Sequence, residues 1–212
     1  MPRAIGRDLC SRFGGAITGE HKGWYTTSIY GAFGAAATTA KLLGLDSVAT
    51  RHALGVCLSQ AVGTQQPNIE QSLSKRLQPA LAARAGVFSA LLAQKGITAP
   101  SEPIEGRLGI FALYQEGDPF RIIENFGQHF EHEKTAIKRY TCCACTHASV
   151  EAALGLVRDY DLRPEDVTAI EVRHSPFMHR LVAGRLIQVI IHRCLRSLVF
   201  NVRSRARCCA AG

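Results

Sequence analysis

A chain of 212 residues, 47% of them hydrophobic, can bury a sizeable core as one large domain or two small ones. No apolar run approaches the roughly 18 residues needed to span a bilayer, and the start, MPRAIGRDLCSRFGG, lacks the apolar stretch of a signal peptide. The net charge of +8 is concentrated in residues 185–212, which hold six arginines and no Asp or Glu, so the rest of the chain is nearly neutral. These features argue for a soluble, cytoplasmic protein with no membrane partner. Nucleic acid is not an expected partner either, because the basic tail mixes its arginines with Ile, Val, Leu and Cys and shows no stacking pattern of aromatics. In such a compartment the eight cysteines are expected to be reduced, buried or catalytic.

In chain order, the first predicted helix lies in SIYGAFGAAATTAKLLG, where Ile29, Phe33, Ala37, Ala40 and Leu43 recur every three or four residues and Gly44 supplies a stop. Asp46 or Ser47 can cap a second helix running towards Gln60, with Val48, Ala53, Val56 and Cys57 on its apolar face and an end near Gly63. A third is expected to start with Pro79 in its first position and to end at Gly96. The many Ala and Gly residues imply closely packed helices. Near residue 135 the pattern changes: HASVEAALGLVRDY reads as a helix, Pro164 as part of a turn, and TAIEVRH as a strand with Ile170 and Val172 opposite Glu171 and Arg173. The fold class expected is a mostly α helical domain, residues 1–134, followed by the beginning of an α+β domain, residues 135–184. There is no internal repeat.

KRYTCCACTH, residues 138–147, combines a CxxC pair, Cys142 and Cys145, with His147 two residues on. That spacing suits a metal knuckle or a redox dithiol. A second ligand pair at zinc spacing is absent, and no thioredoxin-like βαβ pattern surrounds the motif, so neither a metal nor another cofactor is expected. Taken singly, a lysine is by default a solvated surface charge, and His147 is equally placed to cap the following helix.

Three ordered stretches carry a resemblance: GWYTTSIYGAFGAAATTAKLLGLDSVATRHALGVCLSQAVG, SKRLQPALAARAGVFSALLAQKGITAP and IKRYTCCACTHASVEAAL. They are similar to successive blocks of the 2-methylcitrate dehydratase (MmgE/PrpD) family, which also includes cis-aconitate decarboxylases and iminodisuccinate epimerases. The resemblance covers most of residues 1–184. It implies a helical domain with an α+β lid, a homodimer, and metal-independent chemistry on a small polycarboxylate. The function it implies is that of a 2-methylcitrate dehydratase-type lyase of propionate and methylcitrate metabolism. A cis-aconitate decarboxylase or iminodisuccinate epimerase is the less favoured variant, and a non-catalytic helical remnant or self-association module the alternative from another class.

Dehydration needs a base beside a carboxylate, an acid for the departing hydroxyl, and cations to hold the carboxylates. By resemblance, Lys75 and Lys138 bind carboxylates and His147 orients or exchanges protons. Tyr25 stands where the family has a histidine, in the block written GWHTT. Thr26, Thr27, Ser28 and Arg139 complete the implied substrate contacts. Gln78 replaces a second histidine, that of KRLHAG, and a family segment that contributes an aspartate and a histidine has no counterpart ahead of residue 1. These departures imply impaired or absent activity. Beyond about residue 185 the sequence leaves the family pattern. Codons for Val189 to Arg203 can be chosen, with an AGA-type codon for Arg193, so that a frame two bases on reads NHPQMLAQFGLQCP, similar to a family block expected there. Residues 185–212 are therefore expected to be a frameshifted, non-native tail.

Overall fold

The computed structural model describes residues 2–163 except 21, residues 166–179 except 177, residue 182, and the strand 203–208; for 174 and 203–208 only the backbone is described. The expected turn at Pro164 and nearly all of the tail lie outside the described residues. The chain divides into two compact units, Met1–Thr135 and Ala136–Gly212, each considered by itself.

The first unit is helical: α1 (Pro2–Ala16), α2 (Thr26–Leu42), α3 (Ser47–Leu58), the short α4 (Gln66–Ile69), α5 (Ser74–Gln94), and two further short helices, α6 (Ile110–Leu113) and α7 (Phe120–Ile123). Helix α2 is central, packing against α1, α3 and α5. Its apolar positions fill the core: Phe13 of α1 stacks on Tyr30 at 4.8 Å between centroids, and Phe33 and Phe111 close around the same ring. Small residues let the helices approach. A Cβ on Gly86 of α5 would lie 2.6 Å from both the Ala35 Cβ and the Ala36 amide, so only glycine permits this crossing.

Helix ends follow local chemistry. The Asp46 carboxylate accepts the Ala49 amide at 2.7 Å, and Gly44 and Gly96, with φ of +68° and +86°, close α2 and α5. The expected start of the third helix needs correction: α5 begins at Ser74, and Pro79 lies inside it. Proline there forfeits the bond to the Lys75 carbonyl. The preceding turn stays helical because tertiary bonds fasten it. The Gln78 amide donates to the Thr64 carbonyl at 3.1 Å while its oxygen accepts the Thr64 amide at 3.0 Å. Helix α1 had no counterpart among the expected elements. Its apolar face, Leu9, Phe13 and Ala16, recurs at helical spacing and is buried together with the charged pair Asp8 and Arg12.

In the second unit a 3-10 turn, Ala144–Thr146, runs directly into α8 (His147–Asp159), followed by β1 (Ala169–His174) and β2 (Arg203–Cys208). The strands pair in parallel, with register Ala169↔Arg203 through His174↔Cys208. A small core forms around Val150 and Val182, with Tyr140, Cys145, Leu154, Ile170 and Val172 packed against it. Ile170 and Val172 are half-buried while Glu171 and Arg173 are exposed, the alternation expected of a strand with one covered face. No helix among the described residues is long and apolar enough to cross a membrane.

Candidate functional site

The residues singled out from the sequence fall in both units. In the first, the segment leading to Tyr25 is held by Gln115, which is 2% exposed. Its amide nitrogen donates to the carbonyls of Gly19 and Glu20, at 3.2 and 2.8 Å, and its oxygen accepts the Lys22 amide at 3.4 Å. Trp24 packs on Tyr114 with centroids 4.7 Å apart and bridges to Thr64. The Tyr25 amide then donates to Gly63 at 2.9 Å, and the Tyr25 carbonyl accepts the Ser28 amide to start α2. Tyr25 and Thr26 are half-buried and Thr27 is exposed, so one phenol and two hydroxyls surround the start of this helix. Ser28 is buried, and its hydroxyl donates to the Val62 carbonyl at 2.8 Å and lies 3.1 Å from the Gln78 carbonyl. It joins the start of α2 to α5.

Lys75 is half-buried in the first turn of α5, next to Arg76, and that turn has no acidic residue. A cation at the positive end of a helix dipole is disfavoured by a few tenths to about 1 kcal/mol. Lys75 forms no ion pair with a carboxylate among the described residues. One turn on, Gln78 lines a cavity of about 350 Å³ together with Ser28, Gln60 and Arg84. A larger groove of about 730 Å³ beside α1 and α2 includes none of the sequence-derived residues; the smaller cavity, apolar in most of its lining too but with a larger polar share and with Ser28 and Gln78 in its wall, is the better match to the sequence-derived residues.

In the second unit the KRYTCCACTH segment folds over the start of α8. The Lys138 ammonium donates to the Cys142 carbonyl at 3.0 Å and remains exposed. Arg139 is exposed and pairs with Glu151 at 3.2 Å, its guanidinium 5.8 Å from the Tyr140 ring centroid. The Tyr140 hydroxyl donates to the same Glu151 carboxylate, and its ring meets His147 edge-on at 5.3 Å. His147 and Glu151 are one turn apart on α8, so they share a face. The Nε2 atom of His147 is buried with no hydrogen-bond partner among the described residues. An orphaned buried nitrogen of this kind costs about 1–3 kcal/mol.

Thr146, itself buried, donates its hydroxyl to the Cys143 carbonyl at 2.7 Å and approaches the Cys142 sulfur at 3.1 Å. Among the described residues no group of three or more His, Cys, Asp or Glu side chains is arranged to hold a metal. The structure thus places Lys138, Arg139 and His147 around one helix start, and Tyr25, Thr26 and Ser28 at the start of α2, where Ser28 meets α5; Lys75 lies one turn before Gln78 on α5. Sequence reasoning missed Gln115 and Glu151. Glu151 had a usable signal, an acid four residues after His147; Gln115 had none.

The MmgE/PrpD N-terminal domain profile matches residues 3–123. Cis-aconitate decarboxylase of Aspergillus terreus is 31% identical over 181 residues, covering 80% of this chain and 37% of that protein. A cis-aconitate decarboxylase-like protein of Aspergillus oryzae, oryM, is 30% identical over 167 residues, covering 74% and 34%. Human cis-aconitate decarboxylase is 29% identical over 151 residues, covering 68% and 31%. The chain spans about a third of the length of these curated relatives.

Proposed function

Because the chain belongs to the MmgE/PrpD family, we propose that it is part of a lyase for a small polycarboxylate, with decarboxylation of cis-aconitate the first reaction to test. The observation that carries this reading is the extent of the similarity. A contiguous match to four-fifths of the chain includes Lys75, Lys138 and His147 wherever it begins, so it runs past the N-terminal domain into the second unit. Dehydration of 2-methylcitrate is the second reading, supported by the three sequence blocks; a homodimer is the expected assembly in either case.

The residue types suit both reactions. Decarboxylation breaks a carbon–carboxylate bond, leaves its electron pair on a carbon conjugated to another carboxylate, and ends with a proton delivered to carbon. Ammonium groups beside the carboxylates stabilise the charge as it spreads, and an acid supplies the proton. In this proposal Lys75 and Lys138 hold carboxylates, with Arg139 assisting at the rim. His147, through its unpartnered Nε2, and Tyr25 are the proton carriers, and Thr26 and Thr27 offer hydroxyl donors. Glutamine at position 78 and tyrosine at position 25 replace groups that titrate near neutrality, so turnover is expected to be weak.

The test is incubation of the purified protein with carboxyl-labelled cis-aconitate and, separately, with 2-methylcitrate. Labelled carbon dioxide from the first, reduced at low substrate in Lys138→Ala, supports the decarboxylase. An unsaturated product from 2-methylcitrate without carbon dioxide assigns the dehydratase instead. A folded protein that turns over neither leaves the non-catalytic helical module.

A further inference from the structure

We propose that the cavity of about 350 Å³ between the end of α3 and the middle of α5 binds a short-chain monocarboxylate, Arg84 and Ser59 taking the carboxylate and Val62, Leu81, Ala82 and Ala85 the alkyl stem. Hydrogen bonds fasten the elements that form its wall. The Ser28 hydroxyl donates to the Val62 carbonyl at 2.8 Å, and Gln78 holds Thr64 through two bonds. The Gln60 amide nitrogen donates to the Ser89 hydroxyl at 3.0 Å, which donates in turn to the Ala85 carbonyl at 2.8 Å. A Cβ on Gly63 would lie 2.7 Å from the Gln78 side-chain oxygen, so the chain after α3 meets α5 at a distance that glycine permits. The space is held open by the fold, and a ligand need not order its wall.

Those bonds engage Ser28, Gln78 and the Gln60 donor. Arg84 and Ser59 are exposed, and neither side chain forms a hydrogen bond or ion pair among the described residues. The unspent groups are thus a guanidinium and a hydroxyl, and the wall contains no Asp or Glu. A guanidinium presents a planar fork of donors that matches a carboxylate in two parallel bonds. One cation balances one negative charge. A di- or tricarboxylate would press its remaining charges against Val62, Leu81 and two alanines, where desolvation has nothing to offset it. The volume lies at the small end of the range of about 300–1,000 Å³ for ligand pockets, which suits a stem of a few carbons.

The inference goes beyond the lyase reading and does not depend on it. Lys75, Lys138 and His147 are not among the residues that line this cavity, and its occupancy is measured as binding, without turnover.

The test uses the full chain with butyrate as the probe, its binding followed by saturation-transfer NMR over a concentration series. Saturable binding is expected with butyrate and none with butylamine, which has the same stem and the opposite charge. Arg84→Ala should weaken the butyrate affinity at least about tenfold, the worth of a charge-assisted bond, while the Trp24 unfolding curve stays in place. Arg84→Lys, which keeps the charge without the fork, should fall between the two. A butyrate signal that does not saturate, or an affinity that survives Arg84→Ala, overturns the proposal. Displacement of butyrate by a lower concentration of cis-aconitate also overturns it, because the cavity would then accept a polycarboxylate.

Discussion

Replacing Arg12 by alanine should be the most damaging single truncation in the first unit. The guanidinium is 2% exposed and spends all of its donors. Nε meets the Asp8 carboxylate at 2.6 Å; Nη1 meets the carbonyls of Ile122 and Glu124 at 3.1 and 2.6 Å; Nη2 meets that of His129 at 2.6 Å and, more loosely, that of Asn125 at 3.5 Å. The other Asp8 oxygen accepts the Glu131 amide at 2.5 Å. One side chain thus ties α1 to the segment that closes the first unit. Its removal leaves a buried carboxylate without its cation, a loss of about 3–5 kcal/mol, and frees three well-bonded carbonyls, some of which water can reach after relaxation. A net loss of about 3 kcal/mol is a large part of the 5–15 kcal/mol that holds a domain together. With a urea slope of about 2 kcal/mol per molar, the unfolding midpoint should fall by roughly 1.5 M. Trp24, the only tryptophan in the sequence, lies in this unit against Tyr114, so its fluorescence reports this unit's unfolding. A midpoint within about 0.3 M of the parent at an unchanged slope would refute the reasoning.

Lys138→Ala should raise the substrate KM by about tenfold, the worth of one charge-assisted bond, while leaving the Trp24 unfolding curve in place; steady-state kinetics with cis-aconitate checks it. Gly86→Val should cost about 1–3 kcal/mol by driving a side chain into Ala35 and the α2 backbone, read as a lower thermal midpoint by circular dichroism. Stability should also decline at alkaline pH. Burial raises Tyr30 from 10.0 and Cys57 from 9.0, each to about 12. Both are neutral when protonated, so their contribution is complete below pH 9 and is lost as the pH climbs towards 12. Urea midpoints measured between pH 8 and 11 should fall, and less steeply in Tyr30→Phe; a flat profile contradicts the burial of both groups.

Much of the helical scaffold was legible because its signals are local. Asp46 caps α3 through a bond to a residue three positions away, Gly44 and Gly96 end helices by adopting a backbone conformation other residues avoid, and Ile170 and Val172 mark a strand by simple alternation. The lysines and His147 were legible as chemical types, and family membership rests on long ordered blocks of similarity. The tertiary structure decided the rest. Pro79 reads as a helix start, yet α5 runs through it because Gln78 is bonded to Thr64 and Ser28. The CCAC segment advertises Cys142 with Cys145, yet the Cys142 sulfur lies against the Thr146 hydroxyl while Cys145 packs on the core around Val150. In α1 the helical spacing of Leu9, Phe13 and Ala16 is visible in the sequence, but Asp8 and Arg12 look like surface charges there. Arg12 finds its carbonyl partners 110 to 117 positions along the chain, and only folding, by excluding water from that contact, turns two apparent surface charges into the bond that holds the unit closed.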